Sequence, residues 1–462
     1  MRAHPTTSDL QAQDAAHHMH PFTDDAALAK KGARVITKGE GVWLTDSDGR
    51  QMLDGMSGLW CVNIGHGRAE LAEVAAAQMR ELAFSNTFFQ TTHPPAIALA
   101  AKLADLAPCD LNHVFYSSSG SEANDTNIRL VRHYWASKGK PQKQVIISRK
   151  NAYHGSTIGG ASLGGMAAMH AQGALPIPGI ERIGQPHWYS EGGNMTPEEF
   201  GKARAQELEE AIHRIGADTV AAFIAEPIQG AGGVIIPPDS YWPEITTICK
   251  VHDLLLIVDE VITGFGRTGN WFGSQTFDLK PDIMTIAKGL SSGYMPIGGS
   301  MVSDEIADVV GQAGDFAHGY TYSGHPVAAA VALANLEILE TEKLIGRVRD
   351  HIGPYLTRAW AGLEDHPLVG RAESCGLMAA LALTPDKARR AAFAANEGVV
   401  GEICRDRAFA NDLVMRHVGD RMIIAPPLTI TEDEVDELIR RATRALDETH
   451  AIVQQAGLMA VA

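Results

Sequence analysis

Two five-residue runs, Leu254-Leu255-Leu256-Ile257-Val258 and Ile283-Met284-Thr285-Ile286-Ala287, both end on charge: Asp259 and Glu260 follow the first, Lys288 and then Gly289 the second. Runs this short and this apolar have no face to give to water, so they read as strands covered on both sides. Further runs at 114–116, 145–147 and 220–224 are separated by stretches of helical periodicity. Strand and helix alternating in this way predict crossover units and a mainly parallel sheet, an α/β core spanning about residues 60–330. Ligands bind such sheets beyond the carboxyl ends of the strands. Asp259 and Lys288 fall at that edge.

Flanking segments have a different grain. Residues 42–54 alternate apolar and polar positions on both sides of Asp48-Gly49, a hairpin signal. The C-terminal part carries a capping box, Thr431 and Glu434, ahead of an apolar face made by Val435, Leu438, Ile439, Ala442 and Leu446. The expected division is an N-terminal segment of a small domain (1–59), a large domain (60–330) and the C-terminal part of the small domain (331–462).

Bulk properties exclude several function classes. A formal net charge of −16 and a pI near 5.6 do not suit a nucleic-acid partner, which demands a concentrated basic field. No stretch reaches the roughly 18 consecutive apolar residues of a spanning helix. The first residues, through Arg2, His4, Pro5, Asp9 and Gln11, hold no apolar core of a secretory signal. Five scattered cysteines form neither a disulfide framework nor a zinc pattern, which fits a reducing cytoplasm. The run His17-His18-Met19-His20 invites a metal reading. Without further ligands at helical or hairpin spacing, it is expected to be a solvated arm that binds no metal.

Several positions carry chemistry. The run at 114–116 leads into Ser117-Ser118-Ser119-Gly120-Ser121-Glu122 and then a helical pattern. Free N–H groups, hydroxyls and the positive dipole end at such a turn suit a phosphate, although serine clusters there are also plain caps. Gly264-Phe265-Gly266-Arg267-Thr268-Gly269 matches the spacing of the dinucleotide fingerprint, but it does not pass from strand directly into helix and reads as a loop. Lys288 could bond to a cofactor aldehyde and Asp259 could hold a pyridine nitrogen protonated, a combination that points to pyridoxal phosphate. A snorkelling lysine and a strand-end carboxylate are the ordinary alternatives. Tyr153 could stack on a flat ring or simply pack, and Arg416 could clasp a carboxylate or form a structural ion pair.

In this order, the motifs resemble the class III, fold type I, pyridoxal-phosphate aminotransferases over roughly residues 43–446. The resemblance implies a mainly parallel seven-stranded sheet flanked by helices, with a smaller α+β domain built from both chain ends. It assigns Ser119, Gly120 and Ser121 to the cofactor phosphate, Tyr153 and Val261 to the two faces of the ring, Asp259 to its nitrogen and Lys288 to its aldehyde. Thr321 is assigned to the phosphate of a neighbouring subunit, in homodimers or tetramers with shared sites. Where ornithine- and 4-aminobutyrate-type members carry a glutamate that masks the substrate arginine, this chain has Ala231, and Ile262 stands where many relatives have glutamine. With residues 57–67, these departures look like the ω-amino acid:pyruvate and (S)-selective amine:pyruvate enzymes, in which Trp60, Phe88 and Tyr153 shape the pocket and Arg416 takes the acceptor carboxylate. The implied reaction is transfer of an amino group from a primary amine or ω-amino acid to pyruvate, giving an aldehyde or ketone and L-alanine. An aminomutase, a decarboxylase or a 2-oxoglutarate-dependent enzyme stays open, as does the donor: β-alanine, taurine, putrescine or an aromatic amine.

Overall fold

The computed structural model describes residues 5–461, so Arg2 and His4 lie outside the described residues. Seven strands form the central sheet in the order His113–Ser117, Gly298–Val302, Ile283–Ile286, Leu255–Asp259, Val220–Ala225, Val145–Arg149, Ile180–Ile183. Neighbours from Ile283–Ile286 to Ile180–Ile183 pair in parallel, whereas Gly298–Val302 is antiparallel to both of its neighbours. Every residue of the three strands Val220–Ala225, Leu255–Asp259 and Ile283–Ile286 is buried, which is why their sequences read as apolar runs.

All five expected strands form. The two strands without a legible signal have physical reasons to lack one. Ile180–Ile183 is a four-residue edge, Ile-Glu-Arg-Ile. Gly298–Val302 opens on two glycines because it passes beneath the serine turn: a Cβ at Gly298 would lie 2.8 Å from the Ser119 carbonyl carbon. The local end of the second run also differs from expectation. The strand stops at Ile286, and Lys288 begins a short 3-10 turn with φ of 47°, a left-handed conformation rare for a side chain of this length.

Two four-stranded sheets join distant parts of the chain. In one, the expected hairpin strands Trp43–Asp46 and Gln51–Asp54 are extended by Ile36–Glu40 and by Leu413–Val414, the latter pairing in parallel with Leu53 and Asp54. The other has the order Val369–Cys375, Met378–Leu383, Arg421–Ile424, Arg416–Val418. The closing helix Glu432–Gln455 carries the expected capping box, and buries Val435, Leu438, Ala442 and Leu446. Near the other end, a helix Thr7–His17 finishes within the histidine run.

Because the Gly298 backbone supports the Ser119 turn, Gly298→Ala is expected to cost about 1–3 kcal/mol through overpacking. The shift in denaturant midpoint measures this.

Candidate active site

The serine turn and the helix after it are one unit. Ser119 caps the helix Gly120–Ser137, its Oγ accepting from the Glu122 N–H at 3.2 Å. Gly120 is required by its neighbour: a Cβ there would stand 2.8 Å from Val261 Cγ2. Ser121 Oγ accepts from the Ser156 N–H at 3.1 Å, tying the turn to the loop that carries Tyr153.

Asp259 is 3 % exposed and fully partnered. Oδ2 accepts from Asn124 Nδ2 at 2.9 Å and lies 2.7 Å from His154 Nδ1, while Oδ1 accepts from the Val261 N–H at 3.1 Å. Asn124 Oδ1 in turn accepts from Thr285 Oγ1, which accepts from Asn127 Nδ2, and Asn127 Oδ1 accepts from Ser300 Oγ. The carboxylate is thus aimed by a buried polar chain running across helix and sheet. His154 Nε2 is buried with no partner among the described residues.

Glu260, the next residue, points elsewhere. Its carboxylate accepts from Thr263 Oγ1, the Gly273 N–H and both the N–H and Oγ of Ser274, and so folds the loop of the false fingerprint. Burial pushes its pKa up, and these donors oppose the shift. A third buried carboxyl, Glu226, is likewise pushed up by burial. It accepts from the N–H groups of Tyr153 at 3.1 Å and Gly230 at 2.9 Å, fastening the Tyr153 loop to the turn that holds Ala231.

Lys288 faces the same cavity, of about 370 Å³, which is also lined by Ser119, Gly120, Ser121, Tyr153, Asp259 and Val261. Burial lowers its pKa, with Asp259 the largest opposing influence. The amine is therefore more readily neutral, and so nucleophilic, than a surface lysine. Asn124, His154, Glu226, Cys61 and Ile262 complete much of the wall. His154 sat beside Tyr153 in the sequence, and Asn124 one turn after Gly120, but neither type is diagnostic alone.

The other expected residues lie apart from that wall. Trp60 is 1 % exposed, in an apolar cluster with Ile228, Ile262 and Ile423. Ala231 is buried in the turn after Glu226. Arg416 starts the strand Arg416–Val418; burial lowers its pKa, and Tyr153 is the one group opposing that shift. Phe88 and Thr321 belong to two segments that meet at the surface: a Cβ at Gly319 would lie 2.8 Å from Phe88 Cζ, and Thr87 Oγ1 donates to the Ser323 carbonyl. Thr321 is exposed there. Arg267, from the glycine-rich loop, is fully buried and donates to Ser57 Oγ, Asn63 Oδ1 and the Pro426 carbonyl. Burial brings its pKa down to about 10.

The model of the family described as aminotransferase class-III matches residues 27–446. The chain belongs to the class III aminotransferases. It is 58% identical over 447 residues to a putrescine–pyruvate aminotransferase of Pseudomonas aeruginosa, covering 97% of this chain and 98% of that one. An (S)-enantioselective ω-transaminase from Thermomicrobium roseum superposes with a TM-score of 0.93 at 46% identity, covering 97% and 99% of the two chains. The ω-transaminase of Pseudomonas jessenii in complex with PMP gives 0.94 at 40% identity, covering 96% and 99%.

Class III aminotransferases use pyridoxal 5′-phosphate, and the cavity fits it. The serine-capped helix N-terminus suits the phosphate, Gly120 lets Val261 approach that turn closely, and Asp259 and Lys288 supply an acid partner and an amine in one buried space.

The lowered pKa of Lys288 gives a sign. Between that value and 10.5 the unfolded chain holds a proton that the folded one has released, so apoprotein stability gains from this residue as pH rises through the window. Lys288→Met is expected to remove that gain, seen as a smaller difference between the denaturation midpoints of the two apoproteins at high pH than at neutral pH.

Proposed function

We propose that this aminotransferase moves an amino group from a primary amine, putrescine among the candidates, to pyruvate, releasing an aldehyde or ketone and L-alanine in two alternating half-reactions. The observation that carries the acceptor is Arg416 together with alanine at position 231: no acidic side chain occupies that position, and among the described residues no carboxylate opposes the burial of the guanidinium. One clasp of this kind serves the single carboxylate of pyruvate. Both terminal nitrogens of the buried Arg267 donate within the protein, to Ser57, Asn63 and Pro426, which weighs against its serving as a second arginine for 2-oxoglutarate. The likeness to the Pseudomonas aeruginosa enzyme supports both the acceptor and a diamine donor.

When bound, pyridoxal phosphate supplies an aldehyde to link to the amine and a ring that draws electrons from the carbon bearing it. Asp259, held by Asn124, His154 and the Val261 N–H, keeps a proton on the ring nitrogen. Lys288 Nζ would take the proton from the donor carbon and pass it to the carbon that had been the cofactor aldehyde, and would run the transfer the other way when the acceptor is bound. Tyr153 and Val261 confine the ring, and Ile262 keeps that part of the wall apolar. Arg416 orients the acceptor carboxylate.

We further propose a cytoplasmic homodimer, or a dimer of dimers, divided into large and small domains near residues 59 and 330. Thr321 would reach the partner's phosphate and Phe88 the partner's pocket. Support for the interface comes from the aromatic edge where their segments meet, with Phe84 44%, Phe89 92% and Tyr322 62% exposed. The five cysteines are all unpaired, which suits a reducing compartment.

Absorbance of the bound cofactor during stepwise titration, first with a panel of amines and then with pyruvate or 2-oxoglutarate, tests the reaction. Alanine is expected without carbon dioxide; isomerised amine, released carbon dioxide or a preference for 2-oxoglutarate would sink the reading. Lys288→Ala should abolish turnover. Arg416→Ala should raise the KM for pyruvate by about 100-fold, in line with loss of a charge-assisted contact worth about 1.5–3 kcal/mol, while leaving an uncharged amine within a few-fold.

A further inference from the structure

The histidine run near the N-terminus is largely exposed, as a solvated arm would be, but it is not without local order. The helix Thr7–His17 ends there and puts Asp14 one turn before His18, a ligand at helical spacing that the linear reading overlooked. His18 Nδ1 lies 3.0 Å from Asp14 Oδ1, and His20 Nε2 lies 2.9 Å from Asp14 Oδ2. The two imidazole centroids are 4.1 Å apart. One nitrogen from each histidine and one carboxylate oxygen all fall within 4.8 Å of one another.

We propose that Asp14, His18 and His20 form a site for a divalent transition-metal ion of the zinc and nickel class, separate from the cofactor cavity. In a tetrahedral site two donors held about 2.1 Å from one ion stand about 3.4 Å apart, so the ion would replace the present His–Asp hydrogen bonds with an opening of a few tenths of an ångström. Two imidazoles with one carboxylate favour such ions over magnesium or calcium, which take oxygen ligands. The setting suits an ion as well. The trio borders a surface cavity of about 240 Å³ that Asp25 also lines, and the His20 N–H donates to Asp25 Oδ1 at 3.1 Å, fixing the backbone of one ligand. Asp14 and His20 are 21% and 23% exposed, whereas His18 is 60% exposed, so water has access to the remaining coordination positions.

Such an ion has mechanical reach. Phe22 follows His20 by two residues, and its ring meets Tyr153 edge-on at 6.4 Å between centroids. Tying His20 to the helix through the ion stiffens the arm just before that contact. Any bearing on amine binding rests on the transaminase reading; ion binding does not.

A second trio, Glu209, His213 and His252, offers the same ligand types and must be silenced first. In an untagged, chelator-stripped holoenzyme carrying His213→Ala, titration with zinc against a chromogenic chelator is expected to show one equivalent bound. The same titration after adding Asp14→Asn, or His18→Ala with His20→Ala, should lose it or weaken it at least tenfold, with cofactor absorbance retained. Hydrogen exchange across residues 15–25 should slow with zinc in the parent and not in the variants. Equal zinc binding in parent and variants, or no equivalent bound by the parent, overturns the site, as does exchange that zinc leaves unchanged. Alanine formation from amine and pyruvate is scored separately, so failure of the metal site and failure of the transaminase reading remain distinct.

Discussion

The position of one buried carboxylate governs this architecture. Removing a carboxylate from water without donors costs several kcal/mol, of the order seen when buried pairs are broken. Asp259 avoids that cost through Asn124, His154 and the Val261 N–H. Those partners come from three different parts of the chain, so the helix after the serine turn, the Tyr153 loop and the strand end must all be in place together. The Asn124–Thr285–Asn127–Ser300 chain extends the requirement to two further strands. A network of this kind rigidifies its surroundings when every member is satisfied.

Much of the core was legible because the sheet is buried on both faces: apolar runs marked the strands, and the charge after each run marked the ligand edge. The serine turn, Asp259, Lys288, Tyr153 and Val261 come together around one cavity. Polar partners were harder to see. Asn124 and Asn127 sit on a buried helix face where apolar residues are the rule, and their purpose appears only once Asp259 and Thr285 are opposite them. Gly298–Val302 was hidden because closeness to Ser119 demands glycine, which removes the usual strand signature. Asp14 lies outside the histidine run, and its closeness to His18 and His20 depends on where the helix Thr7–His17 ends.

Two arginines show how far context outweighs residue type. Arg267 is fully buried and binds three groups of the protein itself, bracing the segment around Ser57 and Asn63 against Pro426. Arg416 sits at a strand start beside Tyr153, with no carboxylate among the influences on its pKa. One acts as a strut, and the other is proposed to hold its donors for a ligand. Sequence alone leaves a carboxylate clasp and a structural ion pair both open for Arg416, since a guanidinium looks the same until its partners are known.

The adjacent acids Asp259 and Glu260 make strand register a chemical variable. Successive residues leave a strand on opposite sides, so a slip of one position would exchange the two carboxylates. Glu260, one methylene longer, would enter the cofactor cavity, while the donors at Thr263, Gly273 and Ser274 would face a shorter acid that fits them poorly. Catalysis and loop folding would fail together. A chain that carries interchangeable-looking acids side by side thereby ties its register in the sheet to the lining of the cavity, so a slip would disturb cavity and loop at once.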